Sequence, residues 1–111
     1  MPRTIDPERL ARYENAVARL DGIKRKGKAN PYTAVNGHMF SFLDEESALC
    51  VRLSPEAKAE FAAEFGDAPV MQYGSVMRGY VTLPESIAAD PEALHTYLRR
   101  AMDYVLTLKP K

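Results

Sequence analysis

Tyr32-Thr33-Ala34-Val35-Asn36-Gly37-His38-Met39-Phe40-Ser41-Phe42-Leu43 is the stretch that decides the fold. Two runs rich in β-branched and aromatic residues flank Asn-Gly, the dipeptide that most readily supplies the two positive φ angles of a tight I′ turn. An antiparallel hairpin follows. On its far side Asp44-Glu45-Glu46-Ser47 makes a polar turn, and residues 48–53 alternate, with Leu49, Val51 and Leu53 on one face and Ala48, Cys50 and Arg52 on the other. Period-2 alternation is the mark of a strand with two different faces, so three strands in meander order are expected. On the near side Asn30-Pro31 ends the preceding segment and turns the chain into extended structure.

Around this meander, a capping residue is followed three times by proline and glutamate: Asp6-Pro7-Glu8, Ser54-Pro55-Glu56 and Asp90-Pro91-Glu92. The Asp or Ser oxygen accepts from a free N–H of the first helical turn. Proline fits the first helical position, where its missing N–H has no partner in any case, and glutamate faces the positive end of the helix dipole. The first helix is predicted over residues 7–24, with Leu10, Tyr13, Val17 and Leu20 on one stripe and Arg9, Arg12, Glu14, Arg19 and Asp21 mostly solvated. The second runs from Pro55 to a stop at Gly66 and buries Ala57, Phe61, Ala62 and Phe65. The last spans residues 91–108 on a stripe of Leu94, Tyr97, Leu98, Ala101, Val105 and Leu108.

Between the second and last helices, residues 70–73 and 77–83 read as two further strands joined by a turn at Gly74-Ser75, with Gly79 marking a bulge or a close backbone approach. The order α-β-β-β-α-β-β-α gives an α+β two-layer sandwich: a five-stranded antiparallel sheet with helices on one face. Phe40, Phe42, Leu49, Val51 and Leu53 are assigned to the helix-covered face. Met39, Ser41, Leu43, Cys50 and Arg52 are assigned to the other, which is too apolar for plain solvent and too polar for plain core.

The 111 residues fit a single domain spanning 1–111, and 46% hydrophobic with 27% charged residues is the composition of a soluble globular chain. One cysteine cannot close an internal disulfide, no apolar stretch approaches a membrane span, and the N-terminal residues lack a secretory h-region. A cytoplasmic location without membrane attachment is expected. The net charge of zero conceals an asymmetry: residues 1–28 hold eight Lys/Arg against four Asp/Glu, and residues 29–111 hold seven against eleven. Nucleic-acid binding over the whole surface is therefore excluded, and any such binding is confined to the end of the first helix.

The chain resembles the N-terminal domain of the TfoX/Sxy family, which is similar in topology to YjbR-like and secretion-chaperone-like proteins. The resemblance runs from about residue 32 to 111. It rests on Val35-Asn36-Gly37-His38-Met39, Leu49-Cys50-Val51-Arg52-Leu53-Ser54-Pro55-Glu56, Met77-Arg78-Gly79-Tyr80-Val81, Leu83-Pro84 and the closing residues 104–111. Where the family carries a Met-Phe-Gly-Gly type segment before the first strand, this chain has Lys28-Ala29-Asn30-Pro31. A function carried by that glycine segment would be missing here. The resemblance implies a non-enzymatic domain, in some members part of a regulator of DNA-uptake competence. That role depends on a second, C-terminal domain for which 111 residues leave no room, so it is not transferred.

No residue set rises to a catalytic motif. Cys50 lies mid-strand with Arg52 two residues on, but without a base to make a thiolate it reads as a packed residue. His38 and His95 lack partners at metal-ligand spacing and read as surface histidines. Asp44-Glu45-Glu46 lacks the alternating loop and glycine of a calcium site. Glu56 and Lys58 lie about 200° apart on a helix and cannot converge on a phosphate. Tyr97 and Tyr104, one heptad apart, border the core stripe with hydroxyls at its rim.

Two surfaces remain. Lys24, Arg25, Lys26 and Lys28 form a basic end that would bind phosphates without sequence preference, although dipole compensation alone yields the same residues. Met39, Leu43, Cys50 and Arg52 form a half-apolar sheet face suited to an interface. The expectation is a small non-catalytic interaction or regulatory domain without cofactor or metal, acting through its surface as a homodimer or with another protein. The alternative is a nucleic-acid-associated regulator using the basic end.

Overall fold

A computed structural model describes residues 5–27, 30–44, 46–66, 69–72 and 74–110. The elements run α1 (Pro7–Ala18), β1 (Tyr32–Val35), β2 (His38–Leu43), β3 (Leu49–Arg52), α2 (Pro55–Phe65), β4 (Met71–Gln72), β5 (Ser75–Val76), β6 (Tyr80–Thr82), α3 (Glu85–Ala88) and α4 (Pro91–Leu106). The class is α+β. A four-stranded antiparallel sheet, in the order β1-β2-β3-β6, takes the place of the expected five strands. β4 and β5 pair only with each other, outside that sheet.

All three proline-led helix starts carry the expected caps. Asp6 Oδ1 accepts from the N–H groups of Glu8 and Arg9, Ser54 Oγ from Ala57, and Asp90 Oδ1 from Glu92 and Ala93. Each bond satisfies a donor that the helix itself cannot. α2 ends at Gly66 as expected, while α1 stops at Ala18, six residues short of its predicted end. The short helix α3 was not expected: Pro84 opens it without a side-chain cap, so it carries no local signal.

The Asn36-Gly37 turn has φ of 59° and 77°, as the I′ geometry requires. Next to it the pairing slips, because Thr33 faces Ser41 while Ala34 faces Met39, and Phe40 is left as the extra residue of a β-bulge. One inserted residue reverses every side chain beyond it. Phe40, Leu43, Leu49, Val51, Leu53, Val81 and Leu83 therefore pack under the helices, together with Leu94, Leu98, Ala101 and Val105 of α4. Phe42, by contrast, joins Cys50 on the opposite face. The sequence-based assignments of Phe42 to the helix side, and of Ser41 and Leu43 to the open side, are both reversed by that one residue. Ser41 meets Tyr13 of α1, hydroxyl to hydroxyl at 2.6 Å, and Thr33 hydrogen-bonds the same Ser41 hydroxyl.

The second sheet face is covered. Phe42, Cys50 and Tyr80 are buried there with Val70, and Tyr32, Met39 and Met77 pack around them. The segment that brings Val70 and Met77 into this cluster, pinned by Met77 N–H to Val70 C=O at 2.8 Å, was expected to be a sheet strand and turn. It crosses the face because that face presents aromatic and sulfur-bearing side chains whose burial is favourable. The predicted strand over residues 77–83 shortens accordingly to Tyr80–Thr82. Gly79 is neither a bulge nor a close approach: its φ of 84° forms the turn into β6, and a Cβ there would make ordinary contact with Arg52.

Candidate functional site

The strand register places the four residues assigned to one interface face in different surroundings. Leu43 is 1% exposed beneath the helices, and Cys50 is fully buried under Val70 and Tyr80. Met39 is half-buried in the second cluster, where its carbonyl accepts from the Tyr80 hydroxyl at 2.8 Å. The Arg52 guanidinium reaches α4 and lies 5.7 Å from the centroid of the Tyr104 ring. They share no exposed face.

What is exposed on that side is the outer surface of the β4–β5 hairpin. Met71 and Val76 face each other directly across the two strands and are 49% and 57% exposed. Val70, one residue earlier, points into the second cluster, so the alternation of a strand sends Met71 outward. Phe65, predicted to be buried on α2, is also exposed, with its ring 4.8 Å from that of Phe61. Sequence reasoning passed over Met71 and Val76. The available signal was that Val70 and Met71 are consecutive apolar residues in a strand, so one of them must face away from the core.

The basic end of the first helix is partly neutralised. Arg25 ion-pairs with Glu14 at 2.8 Å and also donates to the Gly27 carbonyl. Lys24 and Lys26 are exposed, and Lys28 lies outside the described residues. The backbone of Lys26 exchanges two hydrogen bonds with Tyr32, at 2.8 and 2.9 Å, and so occupies part of the free edge of β1. Upstream, Arg12 pairs with Glu8 and Glu85, and Arg19 with Glu92, tying α1 to α3 and α4.

Cys50 has the surroundings of an inert thiol. Its Sγ lies 3.5 Å from Thr82 Oγ1, and burial pushes its pKa from 9.0 up to about 11, against the opposing hydrogen bond from Thr82. Burial likewise raises Tyr13 to about 12, opposed by Ser41 and Thr33, and Tyr80 to about 12, opposed by Arg52. The folded state thus favours the neutral form of all three. As pH climbs past 9 the unfolded chain releases the Cys50 proton first, so stability falls between about pH 9 and 11, with the tyrosines extending the loss to about 12. We expect the urea midpoint to be flat from pH 7 to 8.5 and to decline from about pH 9. A midpoint independent of pH up to 11 would contradict this burial.

His38 is buried, not on the surface as expected, and its Nε2 donates to the Lys109 carbonyl at 2.7 Å. Among the described residues no group of three His, Cys, Asp or Glu side chains could hold a metal ion, and no helix is long and apolar enough to cross a membrane. Tyr97 stands edge-on to Phe61 at 6.1 Å and borders the core with Tyr104. Comparison of the chain with protein-family models, with curated proteins and with solved structures finds no match.

Proposed function

We propose that this chain is a non-catalytic interaction domain that associates with a second copy of itself through the β4–β5 hairpin. The observation that carries this reading is the exposed Met71–Val76 cross-strand pair. Two large apolar side chains side by side on a two-stranded ribbon favour burial against a partner, and among the described residues no third strand pairs with either ribbon edge, which leaves them to a like ribbon. The buried, high-pKa Cys50 supports a role without covalent chemistry. The pairing of Arg25 with Glu14 removes one charge from the basic end and favours protein interaction over the nucleic-acid alternative. A regulatory domain of the TfoX N-terminal type is the family reading compatible with this proposal.

Size-exclusion chromatography with light scattering tests it. The unmodified chain should show a mass that rises toward twice the monomer with concentration. The double variant Met71→Lys, Val76→Glu keeps a cross-strand pair of opposite charge, which preserves the hairpin, and should remain monomeric with an unchanged far-UV spectrum. A strictly monomeric unmodified chain at high concentration rejects the proposal.

A further inference from the structure

On the opposite side of the molecule from the second face, α1, the β2–β3 turn, α3 and α4 line a half-open pocket of about 150 Å³. Its apolar wall comes from Leu43, Leu49, Leu83 and Leu94, all buried, together with the ring of Tyr13. Arg9 and Arg12 from α1 also line it, and Glu85 at the start of α3 bridges them. One carboxylate oxygen of Glu85 lies 2.7 Å from Arg12 Nη1 and the other 3.7 Å from Arg9 Nη2. A single carboxylate thus already spans two guanidiniums beside an apolar chamber.

We propose that this cavity is a binding site for a small aromatic or branched-chain carboxylate, whose carboxylate replaces Glu85 on Arg9 and Arg12 while its apolar part enters the chamber. The volume matches the ligand class, since an apolar cavity of roughly 150 Å³ accepts a benzene-sized group. The charge also matches: arginine binds carboxylates through paired, charge-assisted hydrogen bonds. Glu85 can give way because its side chain is 57% exposed, so that water takes up its charge once it is released. α3 carries Glu85 on only four residues with no side-chain cap, so its start can shift without unfolding a long helix. In the free protein Glu85 competes for Arg9 and Arg12, while Glu8 holds the other nitrogen of Arg12 at 2.7 Å, which makes the site selective for ligands that add apolar contact to charge.

Two-dimensional NMR titration with benzoate, and with neutral benzamide as the isosteric control, tests the proposal. Benzoate should produce saturable shifts at the amides of Ala48, Leu49, Leu83 and Ala88, and benzamide should bind at least about tenfold more weakly. Glu85→Gln should tighten benzoate binding several-fold by removing the competing charge, and Arg12→Ala should weaken it about tenfold or more. Glu85→Gln removes two ion pairs, to Arg9 and Arg12, and no buried apolar contact, so the prediction stands even if Arg12→Ala impairs folding. No saturable shift with benzoate up to about 10 mM, shifts confined to other surfaces, or equal binding of benzoate and benzamide would each overturn it.

Discussion

Replacing Phe40 by alanine should lower the unfolding free energy by about 3 to 5 kcal/mol, measured by urea denaturation. Phe40 has no exposed surface, and as the extra residue of the β2 bulge it drives its ring under the helices. The backbone there is held between β1 and β3, so the space left by the ring cannot close. The bulge also makes a sharper expectation. Phe42, two residues on, meets Tyr80 edge-on with ring centroids 5.2 Å apart, on the other face of the sheet. A double-mutant cycle between Phe42 and Tyr80 should give a coupling of about 0.5 to 1.5 kcal/mol, whereas Phe40 and Tyr80 should be additive within about 0.5 kcal/mol. Coupling of Tyr80 to both Phe40 and Phe42 would mean that β2 carries no bulge, because residues two apart in an unbroken strand share a face.

Asn36→Ala should cost about 2 to 4 kcal/mol, far more than a turn residue normally would. The Asn36 amide donates to the carbonyls of Val105 and Leu108, at 3.0 and 2.9 Å, and so caps the C-terminal end of α4 from the β1–β2 turn. Alanine removes both bonds and must also hold a φ of 59°, which an ordinary side chain resists. Asn36→Gly separates the two causes, because glycine accepts that φ freely. Its loss should be about 1 to 2 kcal/mol, the value of the two hydrogen bonds alone. Amide hydrogen exchange in the last turn of α4 should accelerate in both variants. Unchanged exchange at residues 105–108 would show that the cap contributes nothing.

The resemblance to a non-enzymatic domain and the half-apolar second sheet face both pointed to a protein that works by contact. The proposed contact surface is a different one. Met39, Leu43 and Cys50 read as a face only while β2 alternates without interruption. The bulge sends Leu43 inward, and Val70 and Met77, which flank the β4–β5 hairpin, pack with Cys50. On the proposed reading the apolar surface offered to a partner is the hairpin's Met71 and Val76, the most exposed large hydrophobics with Leu106 among the described residues. Strand alternation requires that one of Val70 and Met71 face away from the core, and packing against the sheet selects Val70 for the inside. The basic end was legible as charge, but Glu14, which neutralises Arg25, lies eleven residues earlier and meets it only because the chain doubles back after α1.

Features set by the nearest few residues were readable from the amino acids alone: the Asn36-Gly37 turn, the three proline-led helix starts, the stop at Gly66 and the buried stripe of α4. Each is decided by a φ preference, a side chain reaching its neighbour's N–H, or the 3.6-residue repeat, and these act within one or two turns of chain. Four strands instead of five, the bulge at Phe40, the packing of Val70 and Met77 on the second face, and the arginine-lined pocket beside α3 were decided in three dimensions. They depend on which distant segment gains most by burying a given apolar surface, and that competition is resolved only when the whole chain has packed.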